Sequence, residues 1–85
     1  MVQKTDTLLK IDVEKVLRTI EEKYKITLPR KVVMMDYDEG TGSFFIKFIQ
    51  EDIAEGEPSS DGLIIFHYDR KGEIVAVEVT DISLL

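Results

Sequence analysis

The chain contains no cysteine, which excludes a disulfide staple and any thiolate metal site. No apolar run approaches the ~20 residues that a membrane-spanning helix needs. The first residues are polar and charged (Gln3, Lys4, Asp6), so no secretory leader is expected, and the absences together point to a cytoplasmic protein. Asparagine is also absent, and glutamine occurs only at Gln3 and Gln50. With 33% of residues charged, that composition leans towards a heat-adapted source. There is no glycine-rich phosphate loop and no dinucleotide fingerprint. The single histidine, His67, has no serine or cysteine nucleophile in a recognisable motif, so neither a catalytic residue nor a cofactor is expected, and the protein reads as a non-enzyme.

What is present is a short acidic chain. Its 85 residues suit one domain with a modest core and little stability to spare. Residues 1–31 carry eight Lys/Arg against five Asp/Glu, a net of +3. Residues 32–85 carry three against twelve, a net of −9, and the whole is −6. Phosphates are repelled by such a body, so nucleic acid is a disfavoured partner and a basic protein a suitable one.

One helical run precedes four β-prone runs. Val13, Val16, Leu17, Ile20 and Tyr24 share one side of a helix, with Lys15, Arg18, Thr19 and Glu22 opposite. Asp12 is the expected N-cap, Glu14–Arg18 and Glu21–Lys25 are expected ion pairs, and Pro29 closes the segment. The expected strands are Val32–Asp38, Ser43–Ile49, Leu63–Asp69 and Glu73–Val79. Turns at Tyr37–Gly42 and Asp69–Gly72 join them in pairs, and Gln50–Gly62 reads as an acidic loop without the ligand spacing of a calcium loop. These elements predict a single α+β domain: an N-terminal arm and helix (1–31) packed on a four-stranded antiparallel meander (32–85).

Strand parity gives two faces. Val33, Met35, Tyr37, Phe44, Ile46, Phe48, Ile64, Phe66, Tyr68, Val75, Val77 and Val79 form the expected core face. The second face carries Val32, Met34, Phe45, Ile49, Leu63, Ile65, Ile74 and Ala76 beside charged residues. An apolar patch of that extent exceeds what a monomer ordinarily exposes. Val32, Met34, Phe45, Ile49, Leu63, Ile65 and Ile74 are therefore candidate interface residues for a homodimer or another protein partner, unless residues 1–10 cover them. Asp38, His67, Asp69 and Glu78 on the same face are candidates for a small metal or ligand site, against a solvated rim with a salt bridge to Lys47. The basic helix side, with Lys10, Lys15, Arg18, Lys23 and Lys25, is a candidate for nucleic acid, weakened by Glu14, Glu21 and Glu22.

Tyr37-Asp38-Glu39-Gly40-Thr41-Gly42-Ser43-Phe44-Phe45-Ile46-Lys47-Phe48 resembles the opening hairpin of the Domain of Unknown Function 2283 family. The stretch from Tyr68-Asp69 through Gly72-Glu73-Ile74-Val75-Ala76-Val77-Glu78-Val79-Thr80-Asp81-Ile82-Ser83 is similar to its closing motif. The resemblance covers roughly residues 33–83 and leaves out the helix. The family often has an acid where Gly42 stands, an acid where His67 stands and a glycine where Ala76 stands, so any acid-based site of the family is incomplete here. Some members look like the small partner of a toxin–antitoxin-type pair, which implies a protein-binding role by analogy.

Overall fold

A computed structural model describes residues 11–49 and 51–85 of the chain. Residues 1–10, and with them the suggestion that they cover the second face, lie outside the described residues. The chain divides between Arg30 and Lys31 into two compact units.

In the first unit, helix α1 spans Val13–Tyr24 and buries Val16, Leu17 and Ile20. Asp12 caps it as expected, its carboxylate accepting from the Lys15 backbone N–H at 3.1 Å. The other end is set by Lys25, which turns left-handed (φ 57°, ψ 47°). The N–H groups of Lys25 and Ile26 then both return to the Glu21 carbonyl, well before Pro29 is reached. That turn takes Lys25 off the helical spacing, so the expected Glu21–Lys25 pair does not form. Glu21 instead grips Arg30 with both oxygens, at 2.6 and 3.1 Å, and accepts from the Leu28 N–H at 2.6 Å. Glu14 holds Arg18 as expected (3.8 Å) and also reaches Arg30 at 3.0 Å.

The Arg30 guanidinium, followed by the Leu28 N–H, holds the Glu21 carboxyl at about 2, against 4.5 for the free group. A lowered native value favours the charged form. The clamp therefore contributes fully above about pH 4.5, and its contribution is lost as pH falls through about 2. Melting temperatures of the wild-type chain and of Glu21→Gln are expected to differ at neutral pH and to converge between pH 4.5 and 2. A gap that stays constant over that range would contradict the assignment.

The second unit is an antiparallel sheet, so the α+β class is as expected, but the sheet has five strands rather than four. They are β1 (Met34–Asp38), β2 (Ser43–Lys47), β3 (Glu55–Pro58), β4 (Ile64–Tyr68) and β5 (Ile74–Val79), followed by a 3-10 turn at Ile82–Leu84. The additional strand, β3, lies inside the segment read as a loop. Its Glu-Gly-Glu-Pro sequence is wholly exposed and has no strand propensity, yet its backbone pairs with β4 from Glu55↔Tyr68 to Pro58↔Ile65. Such composition suits an edge, where charge and proline prevent further pairing.

The order is β1-β2-β5-β4-β3, not that of a meander. After the β1–β2 hairpin the chain crosses to the far edge and returns strand by strand, so β2 to β5 form a Greek-key unit and the last strand closes the middle. Burial favours this arrangement. Ile74–Val79 carries the richest run of β-branched residues, and Val75, Ala76, Val77 and Val79 are all fully buried, which only a central strand provides.

The parity reading survives in register. Tyr37, Phe44, Val79 and Ile64 lie in one row across the sheet, and Met35, Ile46, Val77 and Phe66 in the next. Phe44, Ile46, Ile64, Val75, Val77 and Val79 are sealed from solvent. Two turns position the rows. Gly42 is left-handed (φ 77°) and returns its N–H to the Asp38 carbonyl, whereas Gly40 keeps an ordinary φ. Gly72 (φ 82°) closes the β4–β5 turn, where the Asp69 carboxylate accepts from the N–H groups of Lys71 and Glu73.

A candidate binding face on the sheet

The second face is built from the residues that alternate with the core. One row reads Asp36–Phe45–Glu78–Ile65–Pro58 across the five strands; the next reads Met34–Lys47–Ala76–His67–Gly56. Opposite residues in antiparallel strands share a face, so these two rows place apolar groups and carboxylates side by side.

At the centre Ala76 is fully buried, and Phe45 and His67 lean towards each other from the strands on either side, their ring centroids 5.6 Å apart in an edge-to-face contact. A larger residue at position 76 would separate them. Gly56 makes the same allowance on the other side: a Cβ there would lie 3.2 Å from His67 Nδ1. The imidazole therefore rests in a slot left by two minimal residues. Its Nε2 is buried without a hydrogen-bond partner, 3.7 Å from Glu78 Oε1. The other Glu78 oxygen accepts from the Ser43 hydroxyl at 3.0 Å. Ser43 is thus turned to the carboxylate and not to the imidazole, the reverse of an activated nucleophile.

Of the four candidate site residues, the fold brings together only His67 and Glu78. Asp38 lies at the β1–β2 turn, at the end of the sheet that holds Val79. Asp69 lies at the β4–β5 turn, at the opposite end. Among the described residues no three His, Asp or Glu side chains gather as a metal site requires. Sequence parity places residues on a face but does not say which end of a strand meets which. The grouping of the four depended on those strand ends lying close, and the observed register sets Asp38 and Asp69 at opposite ends. Lys47 takes no part in the ion pairs of the described residues, so the expected bridge to the acidic rim is absent. Ser43 as the partner of Glu78 was not foreseen; its position two residues before Phe45, on the same face, is the signal that held it.

The candidate interface residues are unevenly open. Met34 is 46% exposed, Val32, Phe45, Ile49 and Ile65 are half-buried, and Leu63 is buried. Ile74 is half-buried too, but a bulge between His67 and Tyr68 sets it opposite Tyr68, a core-face residue, and ends the alternation there. The connection from β2 to β3 and the β4–β5 turn border an open hollow lined by Ile49, Glu51, Asp52, Ile53, Ala54, Asp69, Arg70, Lys71 and Glu73. Arg18 on the helix is taken up by Glu14, and Arg30 beyond the helix by Glu14 and Glu21, which removes part of the field a nucleic acid would need. Among the described residues no helix is long and apolar enough to cross a membrane.

The family described as "Protein of unknown function (DUF2283)" matches residues 34–83. That span runs from the first residue of β1 into the closing 3-10 turn, so it takes in all five strands and leaves out α1. No curated protein and no solved structure matches the chain significantly.

Proposed function

Since this chain belongs to the DUF2283 family, whose description assigns no activity, we propose from its residues that it is a non-enzymatic protein-interaction domain. Its second sheet face receives a basic protein partner. The observation that carries this reading is the row Asp36–Phe45–Glu78–Ile65, in which carboxylates alternate with half-buried apolar side chains on a body of net −9. A partner surface offering apolar and cationic side chains in turn complements the alternation and the charge of this row. The acidic body raises its encounter rate. Neutralising a basic partner in the manner of an antitoxin is one form of this role.

The test is retention of proteins from a native lysate on the immobilised chain, compared with Phe45→Asp and Ile65→Asp. The wild-type chain is expected to retain a basic protein that elutes with salt. Either variant is expected to lose it while its circular dichroism spectrum is unchanged. Equal retention by all three would overturn the proposal.

A further inference from the structure

The two edges of the sheet are not alike. The β3 edge is closed to further pairing by Glu55, Glu57 and Pro58. The β1 edge has no such guard at its start: Val33, Met34 and Met35 are consecutive, apolar, and 36%, 46% and 42% exposed. One of them, Met35, belongs to the core face, and its neighbour one strand in, Ile46, is fully buried. Solvent exclusion on that face therefore stops at β2, and the last stripe of core residues lies open. β1 ends the sheet, so its outer backbone groups have no strand partner among the described residues.

We propose that β1 pairs with β1 of a second copy of this chain, antiparallel about a two-fold axis, so that two sheets join into one of ten strands. The occupant follows from the strand's own polarity. Lys31, Val32 and Val33 lead into it and it runs from Met34 and Met35 to Asp36 and Asp38, so the segment is basic at one end and acidic at the other. Antiparallel pairing with itself sets the basic end of each copy towards the acidic end of the other, and the apolar middle against its own image. A two-fold axis keeps each residue opposite one on the same face, so the register must centre on a residue. Centring on Asp36 would set two carboxylates opposite each other, which is destabilising. Centring on Met35 sets Met35 against the partner's Met35, so that the open core stripe continues across the axis, and Met34 against the partner's Asp36. The second faces of the two copies then lie on the same side, which doubles the surface proposed for a basic partner. The edge pairing stands independently of that partner.

The experiment is light scattering on a sizing column over a hundredfold concentration range, at low and high salt, for the wild-type chain, Met35→Lys and Phe45→Asp. The wild-type mass is expected to double within the range, and at lower concentration in high salt, because two chains of net −6 repel until screened. Met35→Lys, which sets two ammonium groups face to face at an exposed position, is expected to stay monomeric with an unchanged circular dichroism spectrum. Phe45→Asp, one strand in from the edge and on the opposite face from Met35, is expected to dimerise as the wild type does. A wild-type chain that is monomeric throughout, or that grows beyond a dimer, would overturn the pairing. So would a dimer that survives Met35→Lys. Dissociation by Phe45→Asp alone would move self-association to the second face, overturning the edge pairing and leaving the binding role of that face standing.

Discussion

Phe44→Ala is expected to remove about 3–5 kcal/mol of stability, the range for deleting a fully buried aromatic side chain. Phe44 is sealed from solvent, lies between Tyr37 of β1 and Val79 of β5 in the ladder, and meets the Tyr37 ring edge-to-face at 6.4 Å. Its removal takes apolar area out of the core and leaves a cavity between β-branched neighbours that the strand backbones hold in place. A chain of this length has a total stability of about 4–13 kcal/mol, so the variant is expected to melt roughly 10 °C or more below the wild type. Met35→Ala supplies the contrast. Met35 occupies the same face one strand out and is 42% exposed, so it is expected to lose less than about 1 kcal/mol at concentrations where the chain is monomeric. Urea denaturation followed by circular dichroism measures both. Equal losses at the two positions would show that the core does not end at β2.

The second large effect is expected at Gly42. It is left-handed at φ 77°, where a side chain costs of order 1–3 kcal/mol in backbone strain alone. It is crowded as well, since a Cβ there would stand 2.6 Å from Asp81 Oδ1. That carboxylate is not free to withdraw. It accepts from the N–H and the hydroxyl of Ser83, and Ile82 donates its own N–H to the Gly42 carbonyl. Gly42→Ala must therefore strain the β1–β2 turn and push away the segment that follows β5. Gly42→Asp, the acid that the family resemblance led one to look for here, adds a charge beside Asp81 and is expected to be worse still. Gly72 separates the two causes: it is left-handed at φ 82° but has open space around it, so Gly72→Ala should cost strain alone. Thermal melts of the three variants decide the matter. A Gly42→Ala chain no less stable than Gly72→Ala would show that Asp81 yields without cost.

The departures from the family pattern acquire a physical sense at this point. Glycine at 42 is required by φ and by Asp81. His67 and Ala76 are cross-strand partners, so the histidine and the small residue that admits it beside Phe45 form a single local arrangement. An acid at position 67 would stand in the row next to the one that holds Glu78.

The sequence by itself determined what rests on near neighbours and on period. The cap at Asp12, the helix that begins at Val13, the four apolar strands, both hairpin turns and the two faces follow from local hydrogen bonding and from the 3.6- and 2-residue repeats. Only the tertiary structure decided that Glu55–Pro58 is a strand, because edge pairing is made by backbone groups and is indifferent to side chains that read as a loop. It also placed β5 in the middle of the sheet, a choice made by burial on both faces and not by order along the chain. That placement brought Ser43 to Glu78 and His67 to Phe45 and separated Asp38 from Asp69, so the candidate site was legible as a face but not as a set of contacts. Glu21 shows the same division within the helix unit. Its sequence spacing offered Lys25, but a left-handed turn at Lys25 put Arg30 within reach, and a planar guanidinium that fills both carboxylate oxygens prevails over a flexible ammonium.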